Sequence, residues 1–192
     1  MPTTDHSTFL HQAQRLKILC AGIASLILMV GIARFAYTPM LPLMQHQAGL
    51  GIAQGGWLAA FNYVGYFCGA LIAANIVDLV KKDRLYRLGL VVALITTVGL
   101  GLTQNFWAWS VLRFFAGLSS AAGLLLGSGL VMHWLLRHQL RSELGIHFIG
   151  MGAGIFLTAL FVHLAAGQIS WQQHWFWLTA IGLLLAFPAW VW

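Results

Sequence analysis

Six stretches of this chain are apolar almost without interruption: 18–43, 56–80, 85–102, 106–136, 144–166 and 175–192. A helix needs about 20 mainly apolar residues to cross hydrocarbon, and strands are far shorter, so each stretch predicts a membrane-spanning helix. Pro39, Pro42 and Pro188 fall near the ends of these stretches, where a missing backbone donor matters least. Every connector is short and leaves no room for a soluble domain. The fold class that follows is an all-α membrane protein, a six-helix transmembrane bundle over 18–192, preceded by a polar cytoplasmic tail over 1–17. The opening 14 residues carry His6 and His11 but no short apolar core with a small-residue cleavage site, so they do not read as a signal peptide.

Composition agrees. Hydrophobic residues make up 60% of the 192, charged residues 7%, and the mean hydropathy is +0.82. A soluble domain carries about 25% charged residues, so this surface is built for lipid. The net charge of +6 does not point to nucleic acid, because the bases form no single exposed face. They sit instead in alternate connectors: Arg15 and Lys17 in the tail, Lys81, Lys82, Arg84 and Arg87 in the second, Arg137 and Arg141 in the fourth. Eight of the ten basic residues thus share one side, which the positive-inside rule makes the cytoplasm, with both termini there. Trp57, Trp107, Trp109, Trp171, Trp175 and Trp177 flank the opposite connectors, where an indole is expected to bury its ring and wet its N–H. Cys20 and Cys68 lie in apolar runs without a metal-spaced partner, and neither a metal site nor a cofactor is expected.

Two cations remain inside the spans. Arg34 lies roughly 24 Å along the first helix and Arg113 roughly 10 Å along the fourth, by the rise per residue. A buried charge in a bilayer costs about 2.5–3.5 kcal/mol even on the lenient scale, so each is expected to face a water-filled cavity, or else to snorkel or bond a neighbouring helix. No carboxylate accompanies them: Asp5, Asp78, Asp83 and Glu143 all fall in the tail or basic connectors. Asn62, Tyr63 and Tyr66 make a polar stretch in the second span; Asn62 and Tyr66 share a face with Gly69 and Ala73, which must point inward. His147 and His163 in the fifth span and His133 in the fourth read as helix–helix hydrogen bonders, with no paired set for haem. Gly123-x-x-x-Gly127 and Gly150-x-x-x-Gly154 smooth the fourth and fifth spans for close packing. Gly69, Ala73, Gly150 and Gly154 are expected to offer surfaces to a partner bundle.

At this point the chain resembles the N-terminal half of a major facilitator superfamily (MFS) transporter, of the YbfB/YjiJ-like branch. The resemblance rests on the run Gly-Ile-Ala-Arg-Phe-Ala-Tyr-Thr-Pro-Met-Leu-Pro at 31–42 and on Gly56-Trp57-Leu58 with Asn62-Tyr63-Val64-Gly65-Tyr66. Arg113-x-x-x-Gly117 and Trp171 carry it further. It implies a second six-helix half, in the same polypeptide or a second copy, and a small solute, with an organic anion the class two arginines suit. The substrate-binding candidates are Arg34, Arg113, Tyr37, Asn62 and Tyr66; Asp78, Lys81, Lys82 and Arg84 stand as the conformational loop motif, and Gly117 joins the packing glycines. Two departures are plain: the loop begins Ala74-x-x-x-Asp78, and the fifth span lacks the Gly-Pro pair of antiporters. The implied location is a bacterial inner membrane and the implied activity is transport, not enzymology. Two other classes compete. One is a non-transporting membrane module. The other is an intramembrane protease, against which stand Leu126 ahead of Gly127-Ser128-Gly129 and a sixth span with His174 before it.

Overall fold

The computed structural model describes residues 4–140 and 144–191, with side chains from 12 onward. Arg141, Glu143 and Trp192, and the side chains of Asp5, His6 and His11, lie outside the described residues. Among the described residues six helices are long and apolar enough to cross a membrane. The first is assembled from α1 (Thr4–Leu26), a π-helical segment (Ile27–Phe35) and α2 (Tyr37–Ala48). The second and third are α3 (Ile52–Ala74) and α4 (Leu79–Leu102). The fourth joins α5 (Phe106–Ala121), a second π segment (Ala122–Gly127) and α6 (Ser128–Arg137); α7 (Leu144–Ala165) and α8 (Trp171–Val191) complete the six.

Local chemistry sets these ends more sharply than apolar length does. Gly49 turns left-handed (φ 69°) to stop the first span, and Asn105 caps the fourth by accepting from Trp107 N at 2.9 Å and Ala108 N at 3.1 Å. Asp78 caps α4, accepting from Val80 N at 2.8 Å and Lys81 N at 3.4 Å. The apolar run 56–80 is therefore cut at Asn75–Asp78, and Lys81, Lys82, Arg84 and Arg87 ride on the first turns of α4, not in a connector. Of the polar stretch up to residue 17, the residues from Thr4 onward belong to α1. The sixth helix begins at Trp171, so His174 lies inside it, a correction to its placement before that span.

Backbone-to-backbone glycine contacts bring the central helices together. A Cβ on Gly31 would sit 2.6 Å from Gly154 Cα, and one on Gly150 would meet Ile23 O at 2.7 Å. The first and fifth spans are thus packed with nothing between their backbones. A Cβ on Gly65 would approach Phe114 O to 1.9 Å, and one on Gly117 would approach Asn62 O to 2.0 Å, so the second and fourth spans touch in the same way. Gly69 meets Ala121 and Leu118, Gly123 meets Met29, and Gly127 meets the Tyr86 ring. Gly69, Gly150 and Gly154 are consumed inside the bundle. This corrects the expectation that they face a partner. Small residues serve whichever backbone lies nearest, and here it is this chain's own.

Both ends are latched. At the basic end Arg87 pairs with Asp83 at 2.9 Å, donates to Trp190 O and stacks on its ring, tying the third span to the sixth. At the opposite end Gln47 Oε1 accepts from Trp171 N at 2.8 Å. Trp57, Trp107 and Trp177 are exposed, but Trp109, Trp171 and Trp175 are buried core residues and not interfacial anchors. Trp109 meets Trp171 edge-on at 5.7 Å and satisfies its indole at Leu100 O, 3.0 Å away, so it has no need of water.

Candidate functional site

The site begins with a proline. Pro39 has no N–H, so it leaves without a donor the carbonyl four residues back (Phe35) in an α ladder or five back (Arg34) in a π ladder. The chain enters α2 only after the π segment ends at Phe35 and Ala36 bridges to Tyr37. From the fourth span, Arg113 supplies donors at that break. Its Nη1 bonds Ala33 O at 3.3 Å and Arg34 O at 3.2 Å, while Nε reaches Leu58 O of the second span at 3.4 Å.

Three other candidates close around that guanidinium. Asn62 donates to the Arg113 carbonyl at 2.9 Å, so its amide fastens the second span to the fourth. Tyr37 lies with its ring 4.4 Å from the Arg113 guanidinium carbon, and its hydroxyl donates to Gly55 O at 2.9 Å. Arg113 is 3% exposed, Tyr37 3% and Asn62 2%: together they form a sealed knot joining spans one, two and four. Gly117 is one reason the knot can form, since a Cβ there would meet Asn62 O at 2.0 Å and keep Asn62 from approaching the fourth span.

Arg34 is different. Its guanidinium is only half-buried and lies 4.0 Å from the Tyr66 ring centroid, 5.1 Å from Phe35 and 5.4 Å from Tyr63. No described residue accepts a hydrogen bond from it, and its Nε is buried without a partner. Tyr66 is half-buried beside it and Tyr63 exposed. The five candidates therefore divide into a closed group (Arg113, Tyr37, Asn62) and an open edge (Arg34, Tyr66). Tyr63 joins the open edge; its place in the polar stretch of the second span was the signal for it.

His147 is the helix–helix hydrogen bonder that its place in the fifth span suggested, with Ser128 as its partner. Ser128 Oγ and His147 Nε2 are 2.9 Å apart between spans four and five, 8% and 0% exposed. The His147 ring fills the notch left by Gly22, where a Cβ would meet Nδ1 at 2.5 Å. A serine–histidine pair is also the pattern of a hydrolase; this one is buried between the first, fourth and fifth spans. His133 stays exposed near the basic end. Among the described residues no group of three metal-ligating side chains occurs.

Known proteins place the chain. It is 25% identical over 170 residues to the uncharacterized MFS-type transporter YcaD of Salmonella arizonae, covering 88% of this chain and 42% of that protein. It is 31% identical over 97 residues to the uncharacterized MFS-type transporter YceJ of Bacillus subtilis, covering 50% of this chain and 25% of that one. The chain spans less than half the length of these curated relatives. Residues 26–192 match the family described as the uncharacterised MFS-type transporter YbfB, and with six apolar spans the chain is a multi-pass membrane protein belonging to that family.

Proposed function

We propose that this chain is one six-helix half of a secondary transporter that binds a small anionic solute beside Arg34 and Arg113. It would expose that solute alternately to the two sides of a bacterial inner membrane. One observation carries the reading: the Arg113 guanidinium bonds the backbone carbonyl of Arg34, so two cationic residues adjoin, while the described acids, Asp78 and Asp83, sit at the basic end of α4. Rings and carbonyls surround the pair, so the missing negative charge is supplied by a solute. The first span is interrupted there by a π segment, the kind of break at which transporters place binding sites. The second half comes from the same polypeptide or a second copy, and the greater length of the relatives supports it. The basic end is assigned to the cytoplasm, with Asp78, Lys81, Lys82 and Arg84 as the element that responds to the conformational change.

The test is uptake or efflux across a panel of organic anions, normalised to folded protein. Arg34→Gln and Arg113→Gln should both lower it. Normal transport per folded molecule in both variants would overturn the reading.

A further inference from the structure

We propose that of the two arginines Arg34 alone holds the solute, and that what it holds is a planar monocarboxylate whose apolar body lies along Tyr63. The proposal rests on the anion reading above and makes it specific.

Arg113 is already occupied. Three carbonyls from two helices take its Nε and Nη1, Tyr37 covers a face, and the residue is 3% exposed. It is a positioning residue, and its donors set the shape of the first span at the point where Arg34 projects. Arg34 has the opposite character. Tyr66, Phe35 and Tyr63 lie around its carbon at 4.0, 5.1 and 5.4 Å, yet none of its N–H groups has an acceptor among the described residues. Rings pack against a guanidinium's faces, while its donors all point outward in its own plane. The unfilled direction is therefore the edge, and a carboxylate is the anion that fills an edge, accepting two parallel N–H bonds in that plane.

A tetrahedral dianion fits poorly. Its remaining oxygens would need further donors and a second free cation, but the neighbours are rings and Arg113 is engaged. The wall beside the edge suits an apolar body. Ala59, Tyr63, Tyr66 and Ala70 recur at helical spacing along one face of α3, two small residues flanking two rings. Tyr63 is 58% exposed, so its ring is free to be covered.

The experiment uses the purified full-length protein in mild detergent, with calorimetric titration and thermal unfolding. Benzoate, phenylacetate and cinnamate are the aromatic carboxylates, acetate the planar anion without a body, benzamide the neutral mimic and inorganic phosphate the tetrahedral anion. An aromatic carboxylate should bind more tightly than acetate, with benzamide and phosphate undetected. Arg34→Lys should weaken the aromatic carboxylate by about ten-fold or more, because a point charge replaces a fork, and Arg34→Gln should abolish binding. Both should shift the unfolding temperature less than Arg113→Lys does, since Arg34 makes ring contacts but no hydrogen bond that the fold uses. Tyr63→Ala should weaken the aromatic carboxylates and leave acetate unchanged. Arg113→Lys should lower the unfolding temperature while the folded fraction keeps its affinity within about three-fold, a change of about 0.65 kcal/mol or less. Phosphate binding as tightly as the carboxylates would overturn the carboxylate assignment and leave the anion reading standing. Benzamide matching benzoate, or no anion binding at all, would overturn both. An unchanged affinity in Arg34→Lys would overturn the role given to Arg34.

Discussion

The contact between the second and fourth spans makes a quantitative prediction for Gly117→Ala. The added Cβ would lie 2.0 Å from Asn62 O and 2.8 Å from Tyr66 N, both backbone atoms that no rotamer change can move. Ordinary contact begins at 3.4 Å, so α3 must retreat by more than an ångström. Overpacking of this kind costs about 1–3 kcal/mol. The retreat also breaks Asn62–Arg113 and Arg113–Leu58, and hydrogen bonds between membrane helices average about 0.6 kcal/mol each. Alanine returns about 1 kcal/mol of helix propensity. The net destabilisation is about 1–3 kcal/mol. Gly129→Ala is the control on the same span, because nothing lies within 4 Å of its added Cβ. Equilibrium unfolding in a denaturing detergent titration of the two variants measures the difference. A gap below about 0.5 kcal/mol would refute the backbone contact, since changes of that size are what innocuous sites give.

Three further outcomes are expected. Ser128→Ala strands a second ring nitrogen of the buried His147 and should cost about 1–3 kcal/mol in the same titration, most of it recovered when His147→Leu is added. A neutral Ser128→Ala would mean the pair is not formed. Asp78→Ala should loosen the first turn of α4 by about 1 kcal/mol, read as faster amide exchange at residues 79–82, and Asp78→Asn should restore most of it, since both residues cap well. Cysteines at Gln104 and Gln168 should react with an impermeant thiol reagent on intact cells and one at Lys82 should not; the reverse pattern would invert the assigned orientation.

Crossing the membrane six times needs only length and apolar composition, both local properties, so all six helices were legible in the chain before any folding. Their boundaries were less so. Ile76 and Val77 keep the run 56–80 apolar across a real break, which hydropathy cannot see; Asp78, a capping carboxylate, was the signal. The tryptophans show a second limit. An indole at the end of a span suits the membrane interface and the bundle core equally well, and only the Trp109–Trp171 contact and the Leu100 carbonyl chose between them. The glycines on the fifth span announced close packing but not against what; Gly31 and Ile23 of the first span answered that. The arginines divide in the same way. Charge in an apolar helix marked both Arg34 and Arg113 as exceptional, because the cost of desolvation is a property of the residue itself. Which of them would be free was not in the sequence. Arg113 is satisfied by Leu58, 55 residues away in the chain, and by Ala33, 80 away. Such partners exist for it only once three helices have met, whereas the Arg34 guanidinium meets rings and no acceptor among the described residues.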